Sequence, residues 1–322
     1  MTTPASPSAA SRAGDSTRAQ PVVRAAWFGW VLALGASSSF SIAPPVARGV
    51  ISAGMDPTML LLARFVITVA MFAVTIAVID PAHFRLTRHG ALYIGAAGAL
   101  NGIAMLCFFW ALTRLDASVA SMILAVLPLM VLLLLALRGE RFTRRNALRV
   151  VLALGGVYLL IGPGGAVDLV GVGLMLIAVS LFAVQLVIIQ WHLQGYHTLT
   201  VALYLAVAML IAIGAWWFLQ GAQWQTPTRH GWWAIGALAV ISTYQARMLF
   251  YAAIQHLGSG QIVLLLPLEL LLTVTWSVLF LGERFSPLQL VGGALILLSA
   301  LLAIRRLGRA RWRPRWRFLT RT

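Results

Sequence analysis

The chain contains no lysine, a single cysteine and only 8 acidic residues among 322. The lone Cys107 rules out an intrachain disulfide and any cysteine-based zinc or redox motif; within its apolar run it reads as a small buried hydrophobe. Among the apolar runs there is no paired Asp dyad, no His–Glu metal set and no Ser–His arrangement, so the chain reads as a non-enzyme without metal or cofactor. The six histidines fall in or near loops without metal spacing. No phosphate-cradling glycine motif is present, so ATP-driven work would need a separate protein. The alternating ten-residue strands of a membrane β-barrel are missing too.

What is present is apolar. Hydrophobic residues make up 61% of the chain and charged ones 10%, with a mean hydropathy of +0.90. Nearly charge-free runs recur, each long enough for the roughly 20 helical residues that cross a bilayer. The fold class read from this pattern is an all-α integral membrane protein. A net charge of +16 and a pI near 11.7 raise the question of a nucleic-acid partner. The positions answer it: all 24 basic residues are arginines, clustered in short loops and tails, which is a topology signal and leaves nucleic acid out.

Ten transmembrane helices are expected, at about 27–49, 58–79, 90–112, 117–137, 147–163, 169–190, 199–220, 231–254, 259–281 and 287–304. Residues 1–26, rich in Ser, Thr, Ala and Pro, read as a disordered cytoplasmic tail; the long polar lead and the full-length span behind it speak against a cleaved signal peptide. Residues 305–322 form an Arg/Trp-rich tail. Ten spans put both tails on one face. With that face inside, eighteen arginines are cytoplasmic: three in the N-tail, Arg85 and Arg88, five around Glu140, and eight in the C-tail. Only Arg48, Arg114, Arg229 and Arg284 face outward, which places both termini in the cytoplasm of a cell with the chain in its inner or plasma membrane. The stretch from Arg311 to Phe318 has two readings, a clamp on anionic lipid or a solvated topogenic tail.

The segment Arg138-Gly139-Glu140-Arg141-Phe142-Thr143 returns as Leu281-Gly282-Glu283-Arg284-Phe285-Ser286, and four of the five arginines around the first copy are gone from the second. Phe109-Trp110-Ala111-Leu112 and a span with Pro128 precede the first copy; Phe250-Tyr251-Ala252-Ala253 and a span with Pro267 precede the second. Each unit holds five spans, residues 27–163 and 164–304, and an odd number turns the second unit upside down. The reversed arginine dressing agrees. Glu140 and Glu283 read as caps of the helix that follows each, or as partners of Arg141 and Arg284, rather than as catalytic acids. Gly155, Gly156, Gly292 and Gly293 suit close helix contacts, either within the chain or in a homodimer.

In these residues the chain resembles the drug/metabolite transporter superfamily, EamA-type. The likeness rests on the two Gly-Glu-Arg-Phe copies, on Gly54-Met55-Asp56-Pro57 followed by Leu62-Ala63-Arg64-Phe65, and on Leu266-Pro267-Leu268-Glu269-Leu270, where Leu270 replaces a usual proline. Ser37-Ser38-Ser39-Phe40 stands where the first span of the family usually carries Trp-Gly-Ser-Asn-Phe. The resemblance spans about 27–304 and implies two inverted five-helix repeats around a central cavity, with the fifth and tenth helices peripheral.

Helices interrupted at matching positions point to a transport site. Pro128 and Pro267 occupy such positions, and Pro44-Pro45 interrupts the first span; each removes a backbone donor and frees a carbonyl, for a cavity or merely for a packed kink. Three charges lie within spans, where they mark function by default. Arg64 either snorkels outward or meets substrate. Arg247 and Glu269 are offset by roughly 6 Å along the bundle, a gap a long Arg closes, so a pair between them is expected. A persistent pair makes Glu269 a lock; a pair opened by substrate frees Glu269 to carry a proton and couples transport to a proton gradient. Ser38 with its neighbours Ser37 and Ser39, Asn101, Gln185, Tyr244 and Gln245 complete the expected cavity, with Trp110 and Trp276 against an organic substrate.

The function expected is secondary active transport by alternating access. The leading form is export of a small metabolite, such as an amino acid or related zwitterion, or of an amphiphilic drug. An uptake permease of the same fold and a lipid flippase or scramblase are the alternatives.

Overall fold

The computed structural model describes residues 22–79, 81–84, 86–137, 144–161, 168–193, 196–257 and 266–307. Among these residues the chain is mostly helical, without a strand. The first apolar run forms α1 (Val22–Ser41) and α2 (Ala43–Ser52), broken at Ile42 because Pro44 and Pro45 cannot donate to the turn before them. Next come α3 (Pro57–Ile79), a 3-10 turn over Pro81–Phe84, and α4 (Arg88–Ala111). The run with Pro128 splits into α5 (Ala117–Leu124) and α6 (Leu127–Leu137). Then follow α7 (Arg144–Ile161), α8 (Leu169–His192) and α9 (Thr198–Leu219). The expected span 231–254 is α10 (Arg229–Ala239) and α11 (Ala246–Leu257), joined by a π-helical segment over Val240–Gln245. The last elements are α12 (Leu266–Leu281) and α13 (Pro287–Leu307).

Among the described residues, five helices are long and apolar enough to cross a membrane, Trp27–Ser52, Pro57–Ile79, Arg88–Ala111, Leu169–Ile189 and Thr198–Leu219; shorter apolar helices lie at Ala117–Val131, Val150–Leu159, Leu268–Leu281 and Pro287–Ser299. At 1.5 Å per residue, 23 residues of α3 reach about 35 Å against a hydrocarbon core of about 30 Å. Large apolar side chains such as Val78, Ile211, Leu219 and Phe280 stand on the outside of the bundle, as a lipid-facing surface requires. Trp27, Trp30, Trp216, Trp232 and Trp233 are exposed with them. Helix α1 starts inside the expected N-tail, at Val22, and α13 carries the chain through Arg305 and Arg306 to Leu307. The rest of both tails, and the Glu140 loop with Arg141, lie outside the described residues.

Helix packing pairs the first half with the second. Helix α1 packs on α11 and α4 on α8; α3 packs on α9; α4 packs on α9 as α3 does on α10; α6 packs on α8 as α1 does on α12; and α7 packs on α13. Small residues set the closest approaches. A Cβ on Gly98 would lie 2.5 Å from Ala208 Cβ, and one on Gly102 would lie 3.0 Å from Ala212 Cβ, so α4 and α9 touch backbone to backbone. Gly156 faces the Gly292 carbonyl and Gly293 faces Met122, both within the chain, while Gly155 faces open space.

One end of the bundle is held by polar contacts. Arg48 of α2 donates to the Leu112 carbonyl at 2.6 Å and pairs with Asp116 at 3.6 Å. Arg114 pairs at 2.8 Å with Asp168, which also caps α8 through Val170 N. Arg114 holds the Asp168 carboxyl below the usual aspartate range, its hydrogen bond being the largest cause, with the Val170 amide next. Helix α12 ends at Gly282, whose φ of +66° suits glycine, and Glu283 N reaches back to Ser277 O. This reversal aims Glu283 at the other half: its carboxylate accepts from Ala117 N at 2.8 Å, from Ser118 N at 3.1 Å and from the Ser118 hydroxyl. The expectation that Glu283 caps the following helix is therefore corrected. Helix α13 is capped by its own reciprocal pair, Ser286 N to Gln289 Oε1 and Gln289 N to Ser286 Oγ, and the freed Glu283 caps α5 instead. At the opposite end Tyr196 bonds Thr87, Tyr204 donates to the Phe84 carbonyl, and Tyr93 stacks on His192.

Candidate functional site

The proline breaks open the backbone toward the middle of the bundle. Pro44 and Pro128 remove the donors that would have served the carbonyls of Phe40 and Leu124, four residues earlier, and both of those residues line an internal cavity of about 140 Å³. The carbonyl that Pro45 frees, on Ser41, is taken by the Thr273 hydroxyl of α12 at 3.1 Å, while Trp276 Nε1 bonds the Ser41 hydroxyl. One break thus faces the cavity and the next docks α12.

Around the cavity stand Phe40, Ala43 and Pro44 at the first break, Arg64 of α3, Met105, Phe108 and Phe109 of α4, and Leu124 of α5. The second half supplies Phe182 of α8, Ser242 and Thr243 of the π segment, Arg247 of α11 and Glu269 of α12. Among the described residues, none of the wall comes from α7, α9 or α13. The lining combines aromatic rings with three charged side chains.

Arg64 does not snorkel. It lies two turns inside α3 with a relative exposure of 3%, and it donates through Nε to Thr243 Oγ1 at 2.7 Å and through Nη2 to Ser242 Oγ at 3.4 Å. The rings of Phe65 and Phe109 lie 5.6 and 5.7 Å from its guanidinium carbon. Its Nη1 is buried without a partner among the described residues. The π segment makes this geometry: Thr243 Oγ1 donates to Leu238 O, five residues back, at 2.7 Å, and so presents a lone pair to Arg64.

Arg247 and Glu269 share the cavity without forming the expected ion pair; the ion pairs among the described residues are Arg48–Asp116 and Arg114–Asp168. The expectation assumed an unbroken α-helix at 1.5 Å per residue, and the widened turn two residues before Arg247 changes both its height and its face. Glu269 sits in the first turn of α12, where a helix favours negative charge. Pro267 stands in that same first turn, and the residues before 266 lie outside those described.

The remaining candidates are elsewhere. Ser38 gives its carbonyl to the Ser41 hydroxyl, and Ser39 bonds back to Gly35 O, so the serines serve their own helix. Asn101 and Gln185 are buried in α4 and α8 away from the cavity wall. Trp110 bonds Thr58, which bonds Gln220, at the end held by Arg48 and Glu283. Tyr244 bonds Thr75 at 2.6 Å and packs on Phe72, and Gln245 is exposed. The phenylalanine walls and the Ser242–Thr243 pair had no signal of their own, since Phe and Thr are unremarkable in an apolar run. A second, open recess of about 570 Å³ is polar and lies beyond α2, with Arg48, Asp56, Thr113 and Gln225 on its rim.

The EamA-like transporter family model matches this sequence twice, over residues 27–162 and 169–305. The sequence is 24% identical over 221 residues to a protein named pseudopaline exporter CntI from Pseudomonas aeruginosa strain UCBPP-PA14, covering 67% of this chain and 76% of that one. The protein of the same name from strain PAO1 gives 25% over 222 residues. A solved crystal structure at 20% identity aligns with a TM-score of 0.59 over 88% of this chain and 98% of its own, a likeness of fold.

Proposed function

The chain belongs to the EamA-like transporter family, and on that premise we propose that it exports small charged organic solutes, amino acids or related zwitterions, by alternating access through the Arg64–Arg247–Glu269 cavity. It is a multi-pass membrane transporter. The observation that carries the proposal is the convergence of three ionisable side chains, from α3, α11 and α12, on one aromatic-walled cavity. Two like charges and one opposite charge line the same space, which suits a polar solute better than an acyl chain. The two relatives, both named exporters, support the direction.

The working parts are two inverted five-span repeats, ten spans in all. Corresponding spans reach the clasped end by opposite termini: α2 by its C-terminus and α8 by its N-terminus, α3 by its N-terminus and α9 by its C-terminus. Likewise α4 and α12 end there, where α10 and α5 begin. The arginine bias makes this end the outer one, with both termini in the cytoplasm and the chain in the inner or plasma membrane. In this conformation the contacts of Arg48, Arg114 and Glu283 close the outer side, and the open recess beside Asp56 is the vestibule beyond that gate. Glu269, on the cavity wall and without an ion-pair partner among the described residues, is the coupling residue.

Purified protein in lipid vesicles tests the reading. Counterflow of labelled amino acids, accelerated by an imposed pH gradient, is expected. Equal flipping of labelled phospholipid without solute counterflow would overturn it. Glu269→Gln should keep exchange and lose the response to the gradient; retained gradient-driven accumulation removes Glu269 from coupling.

A further inference from the structure

Arg64 is built into the cavity as an unfinished recognition group. A guanidinium has five donors in a rigid fork, and it is costly to bury one without an anion. Here the Ser242 and Thr243 hydroxyls hold two of its nitrogens, Phe65 and Phe109 flank it, and the third nitrogen, Nη1, is buried with no partner among the described residues. No carboxylate among the described residues pairs with it. Glu269, the acid of the same cavity, forms no ion pair there, and Arg247 adds a second positive charge. The wall therefore carries one more cation than anion, with one guanidinium nitrogen left over.

We propose that Arg64 recognises the carboxylate of the transported solute, with Nη1 as the donor reserved for it and Thr243 as the residue that positions the fork. The inference rests on the transport reading above and names the class of solute: compounds with a carboxylate attached to an apolar body that the phenylalanine walls enclose. A site built to bond a given polar group rejects analogues lacking it by factors far beyond what an apolar pocket achieves. Amines and amides of the same shape leave the Arg64 charge without its anion and are rejected. Arg247, on the far side of the π segment, stays available for a second acidic group or for the gate.

The test uses the full chain in lipid vesicles with three matched probes, L-leucine, leucinamide and isoamylamine, repeated with the phenylalanine set. Counterflow gives transport, and the rise in unfolding temperature of the purified protein gives binding. For the wild type the acid should be preferred over amide and amine by about 100-fold or more. Arg64→Gln should abolish that preference. Thr243→Val should lower it by about tenfold, and Thr243→Ser, which keeps the hydroxyl, should restore it. Preference surviving in folded Arg64→Gln overturns the assignment, as does Thr243→Val that leaves the ratio unmoved when Arg64→Gln fails to fold. Wild-type counterflow of acid and amide alike would sink carboxylate recognition and leave the transporter standing. Lipid flipping with no counterflow of any probe would remove both.

Discussion

Replacing Glu283 by alanine should release the outer closure by a measurable amount. Its carboxylate accepts two backbone donors at the start of α5, at 2.8 and 3.1 Å, together with the Ser118 hydroxyl. Loss of a helix N-cap costs about 0.5–2 kcal/mol, and hydrogen bonds to a charged group are worth about 1.5–3 kcal/mol each before the partial exposure of Glu283 is discounted. A net figure of about 2 kcal/mol is therefore reasonable for the alanine variant and about 1 kcal/mol for Glu283→Gln, which keeps one acceptor. Because the acid belongs to the second half and the helix to the first, on the alternating-access reading proposed above this energy separates closed from open and not merely folded from unfolded. At about 1.4 kcal/mol per tenfold, the open fraction should rise roughly 30-fold and 5-fold respectively. The assay is labelling of Leu115→Cys, a site with 2% exposure beneath the closure, by an impermeant maleimide applied outside cells, with Cys107→Ser removing the native thiol. Unchanged labelling rates in a correctly inserted Glu283→Ala protein would refute the reasoning.

Three further outcomes follow from the same geometry. Gly98→Ala forces a Cβ to within 2.5 Å of Ala208 Cβ and 2.9 Å of the Leu205 carbonyl, so it should lose about 1–3 kcal/mol, read as a lower unfolding temperature in detergent. Gly155→Ala meets nothing within 4 Å and should be neutral or gain about 0.5–1 kcal/mol, which serves as the control. Asp168 is held below the usual aspartate range, chiefly by Arg114, so the stability it contributes is present above the unfolded value and is lost only as pH falls through the lower folded value. The Arg114–Asp168 contact should thus be indifferent to external pH between 7 and 5; maleimide accessibility at Val170→Cys that changes within that window would contradict it.

Much of the architecture was legible because a bilayer leaves a chain few options. Apolar run lengths located the helices, and Pro44 and Pro128 located breaks at Ile42 and at Ala125–Val126. In-span charge picked out Arg64, Arg247 and Glu269, and the structure gathers all three, with Pro44, around one cavity. What stayed hidden depended on helix rotation. A π segment has no reliable sequence mark, yet its extra residue turns Thr243 toward Arg64 and undoes the expected Arg247–Glu269 pair. Polarity alone misplaced Asn101, Gln185 and Trp110, since a buried polar group in a membrane bundle can serve helix packing as readily as a solute. The capping role of Glu283 escaped because its partners lie 165 and 166 residues away in the other half.

The stretch from Leu112 to Ser118 is gripped at once by Arg48 from α2, by Asp168 at the head of α8 and by Glu283 after α12. Bonds that converge on one short segment break together or hold together, so intermediate apertures are sparsely populated. A narrow, half-open passage is the shape through which water and protons slip without cargo. By making its opening nearly all-or-none, this loop would keep the membrane sealed between transport events, spending one large event on each solute instead of many small leaks.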